Sequence, residues 1–363
     1  MTQMVEDKKA QLLNRIQADF PLCKSPYLQL AQDLGFADEQ EVFSLVQDLK
    51  QEKIIRRLGA IFDSAHLGYA SSLCALAVGN DKDFDEVAQL VNASSYVTHN
   101  YERPGHYNLW FTVTAPSVLH IHAFLEELAK ASGCPDYLYL PALKLYKIRV
   151  DFKLASNEPN ESNESSKHSP AEHKSATRPN AAPLVPSQVV VEEFSDFDKA
   201  LVRLLQDDLS DEIEPYQAIA QKLTTEFEAS LGHVITEDIV LQRLRNWKFN
   251  KTIRRFGAAV RHRKLGFSHN AMGVWNISDE HSDKVGAIMA QQPEISHCYE
   301  RPRRETWPYN FYSMIHGMSE AECEAVAQRV VDACKKEGIE IKPEMLLYST
   351  RELKKVSMRY FID

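Results

Sequence analysis

The sequence lacks what a membrane, secreted or zinc-binding protein would carry. No run approaches the roughly 18 apolar residues needed to span a bilayer. The opening stretch, MTQMVEDKKAQLLNRI, is polar and charged, unlike a secretory leader. The six cysteines, at 23, 74, 134, 298, 323 and 334, form no C-x-x-C pair. They read as reduced thiols rather than a disulfide framework or a zinc site, and a cytoplasmic location is expected. Positive charge is also in deficit. With 42 Lys and Arg against 51 Asp and Glu, the formal net charge is −9. That balance argues against nucleic acid as the main partner, because phosphate binding needs a basic surface.

What the sequence does contain, it contains twice. IRRLGAIFDSAHLGY begins at Ile55 and IRRFGAAVRHRKLGF at Ile253, 198 positions later. The same spacing separates His99 from His297, which open HNYERP and HCYERP. Beyond the Arg-Pro step the second copy carries four extra residues, so that Asn108 corresponds to Asn310. Between the copies, residues 153–190 are rich in Ser, Asn, Pro, Glu and Ala and contain no Phe, Tyr or Trp, which reads as a flexible linker.

Each copy has the same internal order. Three segments with helical periodicity come first: KAQLLNRIQADF, PYLQLAQDLGF and DEQEVFSLVQDLKQEK, matched by DFDKALVRLLQDDL, PYQAIAQKLTTEF and TEDIVLQRLRNWKF. With the extended KIIRRLGAIF that follows, they suggest a winged helix-turn-helix. Strand and helix patterns then alternate as βαββαβ, the order of a ferredoxin-like layer. The expected fold is α+β, two such units paired as a pseudo-dimer. The domains are helix-turn-helix modules at 1–58 and 191–253 and αβ domains at 59–152 and 254–363. The third helix of the first copy opens Asp38-Glu39-Gln40-Glu41, placing carboxylates where a DNA reader needs cations. The helical modules are therefore expected to be structural and dimerising.

The arginines are placed with regularity. Arg56-Arg57 and Arg254-Arg255 follow the helical modules; Arg103 and Arg301 close the repeated phrase; the second copy adds Arg261 and Arg303. Neighbours on a strand face opposite sides, so one arginine of each pair should face the copy interface while the other faces solvent or a partner. By the same rule His99, Tyr101 and Arg103 share a face, as do His297, Tyr299 and Arg301. Imidazole, phenol and guanidinium are costly to bury without partners. One reading is an interface network; the other is a ligand site. Arginine forks suit carboxylates, and Trp110, Trp307, Tyr107 and Tyr309 offer flat surfaces. The second reading predicts a planar ligand rich in carboxylates.

The helix-turn-helix with βαββαβ order, joined at IRRFGA, resembles the leucine-responsive regulator/AsnC family. Within it, IRRFGAAVRHRKLGF together with SHCYERP and WPYNFYSMIHG resembles the siroheme decarboxylases, with each copy similar to one of their two usual subunit types. The resemblance implies removal of the C12 and C18 acetate carboxyl groups of siroheme to give 12,18-didecarboxysiroheme, in haem or haem d1 formation. It implies no added organic cofactor, the iron entering as part of the substrate. On that basis His297 and Tyr299 are expected as the acid pair, with His99 and Tyr101 as counterparts. Arg254, Arg255, Arg261, His262, Arg301, Arg303, Trp307, Tyr309, Arg56, Arg57, Arg103 and Trp110 are expected around the substrate. His262, present only in the second copy, is the candidate axial ligand to the substrate iron. That copy is expected to hold the main active site. The alternative is a transcription regulator sensing haem or an amino acid.

Overall fold

The structure, a computed structural model, describes residues 2–148, 185–186, 189–231, 234–260 and 269–362. Most of the expected linker therefore lies outside the described residues. The first copy opens with α1 (Thr2–Ala18), α2 (Pro26–Leu34), α3 (Glu39–Gln51) and β1 (Ile55–Phe62). The second opens with α6 (Asp196–Leu205), α7 (Pro215–Leu231), α8 (Glu237–Phe249) and β7 (Ile253–Val260). Local chemistry sets the helix ends. Gly35 ends α2 in the left-handed region at φ 69°, which glycine tolerates without steric cost. Asp38 starts α3 by accepting from the Glu41 N–H, and Ser195 and Asp198 form a reciprocal capping box on α6.

The two helical modules share one core. Leu12, Ile16, Phe20 and Val46 of the first copy are buried with Leu201, Leu205, Leu244 and Trp247 of the second. At its centre β1 and β7 pair antiparallel, with Gly59 opposite Gly257. A Cβ on Gly257 would stand 2.3 Å from the Ile16 carbonyl oxygen, and one on Gly59 would stand 2.8 Å from that of Asp207. Only glycine lets the end of the other copy's first helix approach this closely. Arg57 and Arg255 seal the same contacts, donating to the carbonyls of Gln206 and Gln17. A cation at a helix C-terminus also complements the helix dipole.

The αβ domains follow the expected order. In the first copy they run β2 (Ala70–Leu76), α4 (Phe84–Ala93), β3 (Val97–Glu102), β4 (Leu109–Ala115), α5 (Val118–Ser132) and β5 (Tyr137–Pro141). In the second they run β8 (His269–Trp275), α9 (Ser282–Gln291), β9 (Ile295–Glu300), β10 (Phe311–Gly317), α10 (Glu320–Lys336) and β11 (Pro343–Tyr348). Each chain half then continues into a last strand, β6 (Lys144–Ile148) or β12 (Arg351–Lys355). These two are exchanged. The sheets read β12-β3-β4-β2-β5 and β11-β8-β10-β9-β6, so each copy's final strand completes the other copy's sheet. Exchange covers what would otherwise be an open edge beside β3 and β9.

The sheets pack face to face, with helices outside. Alternation along β4 sends Phe111 and Val113 against α4 and α5, and Trp110 into the layer between the sheets. That middle layer joins Ala75, Trp110, Leu138 and Leu140 to Met272, Val274, Trp307 and Tyr312. If the Gly59–Gly257 step holds the modules together, Gly257→Ala should lower Tm by on the order of 5 °C, since overpacking against backbone cannot relax cheaply. A calorimetric Tm equal to wild type would contradict this.

Candidate functional site

Strands β3 and β9 set the site, and a bulge sets their facing. Along β9, Ile295 pairs with Ile315 and His297 with Met314, leaving Ser296 as the extra residue. Ile295 and Cys298 both join the core under α9 and α10. His297 and Tyr299 consequently face the other sheet. The first copy repeats this, with Val97 opposite Val113, His99 opposite Thr112, and Thr98 extra. Asn100 reaches back to Asn92 on α4, so His99 and Tyr101 face the middle layer.

The expected ladder of three groups is present in both copies. His297 and Tyr299 stack at 6.2 Å, and the Arg301 guanidinium lies 4.6 Å from the Tyr299 ring centroid. His99 and Tyr101 stack at 6.4 Å, and Arg103 lies 5.4 Å from the Tyr101 ring. Both inner arginines cross between copies. Arg301 donates to the Leu140 carbonyl on β5, and Arg103 to the Leu347 carbonyl on β11. Arg103 and Arg301 are buried, at 3% and 9% exposure. Neither forms an ion pair with a carboxylate among the described residues, and Nε of Arg301 has no hydrogen-bond partner there. Buried guanidinium without a carboxylate is an unfavourable state that an anionic ligand would relieve.

At the outer end stand Arg56 and Arg254, both exposed. Arg56 donates to the Ser357 hydroxyl, and Nε of Arg254 lies 3.7 Å from Asp63 of the first copy. The paired arginines thus divide their work, as strand alternation predicts, but Arg57 and Arg255 are not brought to the site. Their guanidinium groups are committed to the helix ends described above. Trp110 and Trp307 are also withdrawn. They pack on one another at 5.5 Å inside the middle layer, and Nε1 of Trp307 donates to the Tyr312 hydroxyl. Both are core, not open platforms. Tyr309 packs edge-on to Trp307 and remains half-buried. Arg303 is turned away, held by Asp279, Asn276 and the Ile277 carbonyl. Arg261 and His262 lie outside the described residues. No cluster of three or more metal-ligating side chains occurs among the described residues.

One residue escaped the sequence reading. His316 on β10 accepts or donates at 2.6 Å to Ser296, whose hydroxyl is 2.8 Å from Nδ1 of His297. Its signal was available in the comparison of copies, since Thr114 stands at the corresponding place on β4.

The helix-turn-helix modules spend their cations internally. Arg243 pairs with Asp198, Lys248 with Asp19 and Lys24 with Asp238, while Arg245 donates to the Leu22 carbonyl. Glu41 accepts from the Ala37 N–H at the start of α3. That surface offers little free positive charge to a phosphate backbone. No helix among the described residues is long and apolar enough to cross a membrane.

Burial governs the protonation of the site. It lowers His99, His297 and His316 from the ordinary 6.5 to about 4, helped at His297 by His316, Arg254, His99 and Arg301. His99 acts on His297 across the copies, so the second ladder senses the charge of the first. Burial pushes the Tyr101 phenol to about 12 and raises Tyr299, so both keep their protons; it lowers Arg103 to about 10. As pH falls from about 6.5 to 4, the unfolded chain takes up protons that these half-buried histidines refuse, so stability drops in that window. Thermal melts should show Tm falling from pH 7 to pH 4.5, and a His99→Gln, His297→Gln, His316→Gln variant should fall less steeply. Equal slopes would assign the effect to other groups.

Comparison with known proteins agrees with this arrangement. The AsnC-like ligand binding domain matches residues 66–147 and 264–354, and the siroheme decarboxylase NirDL-like HTH domain matches 9–56 and 198–254. A siroheme decarboxylase of Hydrogenobacter thermophilus is 31% identical over 354 residues, covering 97% of this chain and 94% of that protein. A siroheme decarboxylase alpha subunit of Desulfovibrio desulfuricans is 53% identical over 144 residues, 40% of this chain and 82% of the subunit. One separate subunit thus corresponds to less than half of this chain. The crystal structure of the siroheme decarboxylase NirDL with an iron-uroporphyrin III analogue superposes with a TM-score of 0.71 at 28% identity, covering 98% of this chain and 94% of that one. With both units in one polypeptide, the chain belongs to the siroheme decarboxylase family.

Proposed function

We propose that this protein decarboxylates siroheme at its C12 and C18 acetate groups, giving 12,18-didecarboxysiroheme. The observation that carries this reading is the pair of buried arginines, Arg103 and Arg301, each stacked on a tyrosine beside a histidine and lacking a carboxylate partner among the described residues. A macrocycle with acetate side chains supplies carboxylates to such groups and a flat surface to their stacked rings.

The chemistry breaks the bond between the acetate methylene and its carboxyl carbon. Carbon dioxide leaves, the electron pair stays on the methylene carbon conjugated to the macrocycle, and one proton converts that carbon to a methyl group. Arg301 and Arg254 orient one carboxylate, and Arg103 and Arg56 another, so that the reacting bond stands beside the histidine. In the ligand-free protein His99 and His297 are neutral. Entry of anionic substrate favours their protonated form, because an opposite charge nearby raises a histidine's pKa. His297 and His99 then deliver the proton. Tyr299 and Tyr101, held as neutral phenols, wall the pocket and can donate hydrogen bonds. No organic cofactor is needed for this balance, because the macrocycle itself accepts the electrons.

A regulator role is the weaker reading, since the cations of α8 are engaged within the chain. Anaerobic incubation of the protein with siroheme, followed by mass spectrometry, should show stepwise loss of two carbon dioxides. His297→Ala should reduce kcat by at least 100-fold while siroheme still binds by absorbance titration. Recovery of unchanged siroheme with the wild-type protein would overturn the assignment.

A further inference from the structure

Three adjacent strands of the second copy carry a continuous chain of polar side chains. Asn270 on β8 stands directly opposite His316 on β10. Oδ1 of Asn270 is 2.5 Å from Nδ1 of His316, Nε2 of His316 is 2.6 Å from the Ser296 hydroxyl, and that hydroxyl is 2.8 Å from Nδ1 of His297. The bulge at Ser296 makes the last two links possible, because it turns this side chain towards β10 instead of pairing it regularly.

The chain has a direction. An amide oxygen only accepts, so Nδ1 of His316 must be its donor, and Nε2 of neutral His316 is then an acceptor. The Ser296 hydroxyl donates its single proton there and accepts through oxygen from Nδ1–H of His297. Neutral His297 is thereby left with Nε2 unprotonated. Among the described residues the first copy has no equivalent. The Ser71 and Thr114 hydroxyls bond to each other at 3.0 Å, and the ring of His99 hydrogen-bonds the Thr98 hydroxyl at 3.0 Å. Hydroxyls both donate and accept, so nothing in that arrangement selects a tautomer for His99.

We propose that His316 is a positioning residue: with Asn270 and Ser296 it holds neutral His297 as the Nδ1–H tautomer, reserving Nε2 as the atom that takes a proton from solvent and delivers it to the substrate's methylene carbon. The catalytic part of this inference rests on the decarboxylase reading; the tautomer does not. After each proton delivery from Nε2 the chain returns His297 to the state ready for reloading. His99 lacks that bias, so the two ladders should not work at equal rates.

The two parts separate experimentally. In ligand-free protein labelled with 15N-histidine, NMR at pH 7.5 should show His297 with Nδ1 protonated, and Ser296→Ala should shift it towards the Nε2–H form. The Nε2–H form in wild type, or no change in Ser296→Ala, overturns the proposal whatever the protein's activity. In turnover with siroheme, His316→Thr should lower kcat on the order of ten-fold with KM unchanged and accumulate the mono-decarboxylated product. His316→Asn can donate to Asn270 and accept from Ser296, so it should recover most of the rate. Equal impairment of both variants would indicate packing, and unimpaired His316→Thr would remove the catalytic role. Should His316→Thr fail to fold, Ser296→Ala, which cuts the chain beside His297, carries the same kinetic expectation.

Discussion

The contact of β1 with β7 across Gly59 and Gly257 is the constraint on which the rest depends. It brings the two chain halves together where no side chain intervenes, and two helix ends close over it. Arg57 and Arg255 bind those ends, which frees Arg56 and Arg254 to point outwards. The exchange of β6 and β12 repeats the arrangement one layer further on, since neither sheet is complete without the other copy. Neither half could present its ladder correctly alone: Arg301 depends on a carbonyl of β5, and Arg103 on one of β11.

The site also shows how a chain with net negative charge prepares for an anionic ligand. Many acidic groups serve in caps and surface pairs, while two guanidinium groups are buried on tyrosine rings and, among the described residues, donate to carbonyls rather than carboxylates. Such burial destabilises the ligand-free protein and strengthens attraction for a carboxylate in a medium less polar than water. Burial lowers the histidines for the same reason, and in the proposed mechanism the ligand's own charge reverses that. That mechanism couples the binding step to the protonation step.

Duplication has left the copies similar in frame and different in chemistry. Both retain the bulge, the histidine, the tyrosine and the inner arginine. They diverge around these groups: Asn270 and His316 replace a pair of hydroxyls, and Asp63 of the first copy sits beside Arg254 of the second. Under the proposed reaction, divergence of this kind would let one fold treat two acetate groups of an asymmetric substrate differently.

Much of this was legible in the sequence. The repeat, the helical modules, the βαββαβ order and the shared face of His, Tyr and Arg follow from periodicity and from one chain compared with itself. These are local properties, dictated by neighbours a few positions apart. What the linear pattern could not reveal depends on distant partners. Alternation predicts that the two arginines of Arg56-Arg57 part company, but only packing decides that Arg57 finds a helix carbonyl. Trp110 and Trp307 have the composition of a ligand platform, yet the meeting of two sheets makes them core. The βαββαβ order ends at β5, and only a free sheet edge in the other copy captures β6. His316 became visible as a partner of His297 only when a bulge turned Ser296 between them. The sequence by itself determined which groups were available and which strand face each would occupy. The tertiary structure decided which of them face an anion, because burial and pairing arise from residues nearly 200 positions apart.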